Sequence, residues 1–122
     1  MRKVLQSIRP KWTELIFTGQ KHKELRKSKP ADIEYPFKVC VYETKPGAGA
    51  VIGEYTCKVI ATSNLPEYFV QGSCVPLDDI EAYMGKGRLS AWDISNVVLY
   101  SQPVPLSEFG LSRPPQSWCY VN

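Results

Sequence analysis

Short apolar or alternating segments follow one another along the chain, and glycines and prolines separate them. Six segments are rich in β-branched and aromatic residues or alternate with a period of two, which is typical of strands. They are residues 4–8, 22–27, 37–44, 50–61, 92–100 and 118–121. The proline and two glycines within residues 45–49 mark a turn, so we expect the two flanking segments to pair as a hairpin.

Two other segments carry helical signals. Pro10 suits a first helical position, and Trp12, Leu15 and Ile16 recur at the spacing of one helical face, which predicts a helix over residues 10–18. Residues 77–84 predict a second helix, because acidic residues occupy its early turns and a glycine follows its end. Strands without regular βαβ alternation predict an α+β fold. We expect a small β-barrel of five or more strands, flanked by two or more short helices.

The apolar members of these segments are expected to share one core, because each segment must bury one face. They are Trp12, Leu15, Ile16, Leu25, Val39, Val41 and Val98. With 122 residues, 43% of them hydrophobic and 22% charged, the composition is typical of a globular domain and unlike that of a disordered or fibrous chain. The sequence therefore predicts a single domain over residues 1–122.

Membrane, metal and cofactor signals are missing from the sequence. Apolar runs fall far short of the ~18 to 20 residues that a membrane span needs, and the first residues are too polar for a signal peptide, so we expect a cytoplasmic protein. The single histidine and the cysteines form no closely spaced ligand pair of the kind that zinc sites use. We expect reduced, mostly buried thiols, no metal and no cofactor. The four cysteines are Cys40, Cys57, Cys74 and Cys119.

Charge is unevenly divided along the chain. Residues 1–30 hold nine basic and two acidic side chains, a balance of +7, whereas the rest holds six basic and ten acidic, a balance of −4. This division accounts for the net charge of +3. A basic segment of this kind favours an anionic partner such as nucleic acid, although it is also compatible with a solvated surface.

The basic segment continues into the strand predicted at residues 22–27. Alternation sends His22, Glu24 and Arg26 to one face of this strand, and Lys23, Leu25 and Lys27 to the other. Glu24 and Arg26 are thus placed to form an ion pair or to face a ligand together.

Four segments together resemble the ASCH domain, a family of the PUA-like superfamily. They are Ser7 to Trp12, Gly19 to Arg26, Trp92 to Ser95 and Arg113 to Val121. The family signature, GxKxxExR, is complete at Gly19, Lys21, Glu24 and Arg26. The resemblance spans nearly the whole chain and implies a small barrel with a cleft beside the helix and the signature strand.

The resemblance implies RNA or nucleotide binding, because ASCH domains are proposed to bind RNA. Some members resemble hydrolases that remove an acyl group from N4-acetylcytidine, and others look like ribonucleases. In the amidohydrolase group the position of Lys21 is lysine, but the position of Glu24 is a nucleophilic threonine. A carboxylate cannot form an alkoxide nucleophile, so in an enzyme Glu24 would act as general base on water, with Lys21 or Arg26 stabilising the anion.

Candidate ligand-binding residues follow from these patterns. They are Lys21, Lys23, Glu24, Arg26, Lys27, Lys29, Tyr42 and Trp92, with Gln116 and Ser117 as secondary candidates. The lysines would contact phosphates and the two aromatic residues would stack bases, although aromatic residues of a small barrel are also commonly buried. Three functions stay open: an RNA or nucleotide binder, a hydrolase of the same fold, and a protein-interaction adaptor.

Overall fold

The computed structural model describes residues 2–122, and over this range it contains eight strands, two α-helices and two short 3₁₀ helices. In chain order the main elements are β1 (Lys3–Ile8), α1 (Pro10–Phe17), β2 (Lys23–Arg26), β3 (Phe37–Glu43), β4 (Ala50–Cys57), β5 (Ile60–Ser63), α2 (Leu77–Met84), β6 (Leu89–Asp93), β7 (Ser95–Val104) and β8 (Trp118–Val121). The 3₁₀ helices are Pro66–Phe69 and Leu106–Phe109. The α+β class and the expected numbers of strands and helices are confirmed.

Two of the predicted strands are each divided in the structure. Residues 50–61 form β4 and β5, because the chain turns at the exposed Lys58 and Val59. Residues 92–100 span the end of β6 and the start of β7, which the buried Ile94 separates. At this residue the chain passes from one sheet to the other.

The strands form two sheets. The larger has the order β7-β4-β3-β1-β8, with β1 parallel to β3 and the other neighbours antiparallel. The smaller has the order β2-β6-β5 and is antiparallel. The predicted hairpin is confirmed as β3 and β4. Because β6 pairs with β2 and β5 whereas β7 pairs with β4, the two sheets are not closed into the expected barrel.

Three clusters of buried residues replace the single expected core. The main cluster takes Val4 and Ile8 from β1, Ile16 from α1 and Trp92 from β6, and the side chain of Trp12 packs against it. A second cluster joins β2 to α2 and the first 3₁₀ helix; its members are Leu25, Phe69, Ile80, Met84, Leu89 and Ala91. A third lies around Leu5, Cys40, Tyr42, Val51 and Val121.

The single-core prediction is therefore wrong for three residues. Leu25 lies in the second cluster, because alternation along β2 turns it toward α2. Val98 is half exposed, because it lies on the outward face of the edge strand β7 while its neighbour Val97 packs against the main cluster. Leu15 is only partly buried and belongs to none of the clusters. Within residues 2–122, the helices are too short and polar to cross a membrane.

Candidate functional site

A cleft of about 620 Å³ lies beside α1, β2 and α2. Trp12 of α1, Glu24 and Arg26 of β2, and Ile80 and Tyr83 of α2 contribute to its walls. This volume is typical of sites that hold a small molecule or one nucleotide. Lys21, Glu24 and Arg26 of the signature segment are among its lining residues.

Lys21 reaches the cleft from the turn that follows α1. Gly19 has a φ of +81°, a left-handed conformation that glycine adopts without steric cost, and it turns the chain so that the backbone N–H of Lys21 donates to the carbonyl of Leu15. The Lys21 Nζ then lies 4.7 Å from the centroid of the Trp12 ring and donates a hydrogen bond to the carbonyl of Ser73. Only 2% of Lys21 is exposed to solvent.

Lys21 and Glu24 form a buried ion pair. The Lys21 Nζ lies 3.6 Å from Glu24 Oε1, and Glu24 is 5% exposed. Burial lowers the pKa of the Lys21 ammonium, because desolvation disfavours the charged form, and the negative charge of Glu24 opposes this shift. The Ser73 carbonyl accepts one N–H of Lys21, whereas Glu24 at 3.6 Å is an ion-pair contact beyond hydrogen-bond distance. Among the described residues, the ammonium makes no other hydrogen bond, so donors remain available.

Arg26 fixes the other side of Glu24. Its Nε and Nη2 both donate to Glu24 Oε2, at 3.0 and 2.6 Å. Nη2 also donates to the carbonyl of Ser7, and Nη1 donates to the carbonyl and hydroxyl oxygens of Ser117. These contacts use all five N–H donors of the guanidinium, so Arg26 orients Glu24 and ties β2 to β1 and to the segment before β8.

Lys21, Glu24 and Arg26 thus form one buried cluster with two cations and one anion. The predicted association of these three residues beside a cleft is what the structure contains. Gln116 also lines the cleft. Ser117 is not a lining residue, but its hydroxyl accepts a hydrogen bond from Arg26, which is one.

Other predicted residues lie outside the cleft. Lys23 and Lys27 extend from the other face of β2, each over a tyrosine ring, and Lys29 is exposed. His22 directly precedes β2, and its backbone N–H donates to the carbonyl of Gly72. His22 is exposed and is not a lining residue.

The prediction that Tyr42 and Trp92 stack bases is wrong. Trp92 is fully buried in the main cluster, where its ring lies edge-on to Phe37 and Trp118. Tyr42 is 5% exposed and packs in the third cluster. Neither ring has a free face for a base, because both point into the cores on which the sheets depend.

Nine lining residues were not among the candidates from the sequence. They are Ser7, Arg9, Trp12, Leu25, Thr44, Val75, Asp79, Ile80 and Tyr83. These residues are spread over the chain, and their sequence patterns are those of core residues or of ordinary solvent-exposed residues. Ser7, Arg9 and Trp12 carried a signal, since they lie within the segment Ser7 to Trp12 that resembles the ASCH family. Tyr83 and Asp79 are four residues apart on α2, and only the packing of that helix against β2 brings them to the cleft.

The cysteines and the acidic residues offer no metal site in the part of the chain that the structure describes. Residues 2–122 contain no group of three potential ligands close enough to share an ion. All four cysteines are free thiols; Cys40 and Cys57 are buried, Cys119 is partly buried and Cys74 is exposed.

Comparison with solved structures shows that the whole structure has a known fold. An ASCH protein from Zymomonas mobilis is similar, with a TM-score of 0.84 and 19% identity over 98% of this chain and 87% of that chain. Two single-residue variants of that protein match with TM-scores of 0.84 and 0.83. The N-terminal domain of McrB from Staphylothermus marinus is more distant, with a TM-score of 0.50 and 15% identity over 87% of this chain and 77% of that domain.

Sequence comparison adds nothing to this likeness, since neither a family model nor a curated protein matches the chain. The fold is nevertheless shared over almost the full length of both chains. On its structure, the chain has the fold of an ASCH domain.

Proposed function

We propose that the protein binds RNA or a nucleotide in the cleft, with Lys21 as the central cation. The observation that carries the proposal is the buried cluster of Lys21, Glu24 and Arg26, which places two positive charges and one negative charge at the wall of a cleft of nucleotide size. An ammonium held away from water interacts strongly with a phosphate, because little solvent screens the pair. The N–H donors of Lys21 that Ser73 does not engage are available to donate to an anionic ligand.

Other lining groups supply the remaining interactions that a nucleotide needs. Arg9 is exposed at the cleft and brings a second cation for a phosphate. The side chains of Asp79 and Gln116 carry acceptors and donors suited to the edge of a base. The basic N-terminal part of the chain supports the same class of ligand.

The test is binding of a fluorescein-labelled single-stranded RNA to the parent and to Arg9→Gln, followed by fluorescence anisotropy at low salt. Arg9 makes no side-chain hydrogen bond within residues 2–122, so its loss should weaken binding while leaving the melting temperature unchanged. Lys58→Gln is the matched control, because Lys58 is exposed, carries the same charge and does not line the cleft. Equal affinities of the two variants would contradict binding in the cleft.

A hydrolase of the same fold is the second candidate, and the ion pair of Lys21 with Glu24 favours it. In this alternative Glu24 Oε1 accepts a proton from water, since Oε2 is engaged by Arg26. Lys21 would stabilise the anion formed on an acylated nucleoside or a phosphodiester, because Arg26 has no free donor. Turnover of N4-acetylcytidine or RNA by the parent, lost in Glu24→Gln under conditions in which that variant is folded, would establish this function.

A further inference from the structure

Two exposed tyrosines lie beside lysines at the two ends of β2, one beside Lys23 and the other beside Lys27. The Nζ of Lys23 lies 5.2 Å from the ring centroid of Tyr68, and the Nζ of Lys27 lies 4.9 Å from that of Tyr83. We call these four residues the tyrosine–lysine surface. The rings are 49% and 42% exposed.

The tyrosines are held in place by their buried neighbours. Between the two lysines, Leu25 packs against Phe69, Ile80 and Met84, which joins β2 to α2 and to the 3₁₀ helix Pro66–Phe69. Each tyrosine is adjacent in sequence to one of these buried residues. Its backbone is therefore fixed by the second cluster while its ring remains at the surface, and neither hydroxyl makes a hydrogen bond within the described residues.

Tyr83 also lines the cleft, so one pair of the tyrosine–lysine surface adjoins the cleft directly. The α-carbons of Lys23 and Lys27 are about 13 Å apart along an extended chain. A single nucleotide cannot reach from the cleft to both pairs, but a short oligonucleotide can. Aromatic rings interleaved with cations are the surface on which single-stranded nucleic acids stack bases and place phosphates.

We propose that the ligand is a single-stranded RNA that leaves the cleft along this surface, with bases stacked on Tyr83 and Tyr68 and phosphates beside Lys27 and Lys23. The proposal rests on the proposed function of the cleft and adds the class of ligand and its path. Two acidic residues lie close to this path: Glu67 is beside Tyr68, and Asp79 is at the cleft. Their negative charges repel phosphates, so we expect the RNA backbone to follow the lysines.

The experiment measures the affinities of uridine monophosphate and of a ten-nucleotide oligouridylate for four proteins. They are the parent, Tyr68→Ala, Tyr68→Phe and Tyr35→Ala. Tyr35 is the control, because it is equally exposed and lies near neither the cleft nor the lysines of this surface. We expect the oligouridylate to bind more tightly than the mononucleotide. Tyr68→Ala should weaken oligouridylate binding by about 5- to 150-fold and leave mononucleotide binding unchanged. Tyr68→Phe and Tyr35→Ala should bind as the parent does.

Three results would overturn the path. One is an equal affinity of the parent for uridine monophosphate and for the oligouridylate. Another is that Tyr68→Ala has the melting temperature of the parent, which shows that it is folded, and yet binds the oligouridylate as tightly as Tyr35→Ala does. The third is that polyglutamate displaces the oligouridylate, and that this displacement is lost on substitution of Lys23 but not of Tyr68. This result would make the surface a binding site for acidic proteins. These results leave the cleft proposal standing. Failure of both RNA ligands to bind the parent would overturn the cleft proposal as well.

Discussion

Glu24 is the side chain on which the buried cluster depends. It is the only carboxylate paired with Lys21 and Arg26 among the described residues, and both cations are almost fully buried. A buried cation that loses its counter-ion retains the cost of desolvation without the attraction that offsets it. The sequence motif therefore has a structural role as well as the proposed functional one.

We predict that Glu24→Gln lowers the free energy of unfolding by about 3 kcal/mol, measured by urea denaturation at pH 7. Glu54→Gln is the matched control, because Glu54 pairs with the exposed Lys38 and the amide oxygen of Gln can still accept the hydrogen bond from the Tyr100 hydroxyl. It should cost less than about 1 kcal/mol. Adding Lys21→Met to Glu24→Gln should restore part of the loss by removing a buried charge. Equal costs for Glu24→Gln and Glu54→Gln would contradict a buried, coupled cluster.

Cys57 should make the stability depend on alkaline pH. Burial raises the pKa of the Cys57 thiol from 9.0 to about 12, and the thiol donates a hydrogen bond to the carbonyl of Val59. Above pH 9 the unfolded chain loses this proton while the folded chain keeps it, so stability falls as the pH rises toward 12.

The expected result is that Cys57→Ala is less stable than the parent at pH 8, but that the difference narrows by about 1.4 kcal/mol by pH 10. Chemical denaturation at the two pH values measures this change. For Cys74→Ala, at an exposed position, the difference from the parent should stay constant. A constant difference for Cys57→Ala as well would show that this thiol ionises equally in the folded and unfolded chains.

Among the elements, β4 is the one that must approach its neighbours most closely. A Cβ on Gly53 would lie 2.4 Å from the carbonyl oxygen of Val98 on β7 and 2.6 Å from a ring carbon of Phe17 on α1. A backbone oxygen cannot move aside as a flexible side chain can. The glycine therefore sets the distance between β4, β7 and α1.

Gly53→Ala should lower the free energy of unfolding by about 2 kcal/mol, because the two strands or the helix must move apart. Gly87→Ala is the control, since its added Cβ would meet only the carbonyl of Met84 at 3.6 Å, an ordinary contact. Thermal denaturation of both variants checks the difference. An unchanged melting temperature for Gly53→Ala would contradict the close approach.

The elements also show what the sequence can and cannot predict. Helix α1, β2 and the hairpin of β3 and β4 were predictable, because proline, glycine and residue alternation are local signals. The separation into two sheets was not, because it depends on which strands pair at long range. For the same reason, the buried position of Trp92 and the arrival of Tyr83 at the cleft carried no local signal.

Over the whole molecule, five of the nine basic side chains of residues 1–30 lie at the cleft or on the tyrosine–lysine surface. Lys21 and Arg9 line the cleft, and Lys23 and Lys27 lie along the exit that we propose for the RNA. Asp79 in the first turn of α2 places a negative charge at the cleft wall. Such a distribution should make RNA binding depend on salt.

We predict a log-log slope of about −2 to −3 for single-stranded RNA affinity against salt, which corresponds to three or four phosphate contacts at about −0.7 each. Neutralising Lys23, Lys27 and Lys29 together should flatten the slope, because all three are solvent-facing or partly so and would contact phosphates. Anisotropy titrations between low and moderate salt measure it. An unchanged slope in the triple variant would show that these three lysines are solvated and do not contact the RNA phosphates.

The most direct test of RNA binding in the cleft is a titration of the protein with the ten-residue oligouridylate, observed through the indole N–H signals of its three tryptophans by NMR. Trp12 lines the cleft, whereas Trp92 is buried away from solvent and its indole N–H is bound to the carbonyl of Ser28. We predict that the Trp12 signal shifts in a saturable way while the Trp92 signal stays in place. Binding that leaves the Trp12 signal unmoved would contradict the account.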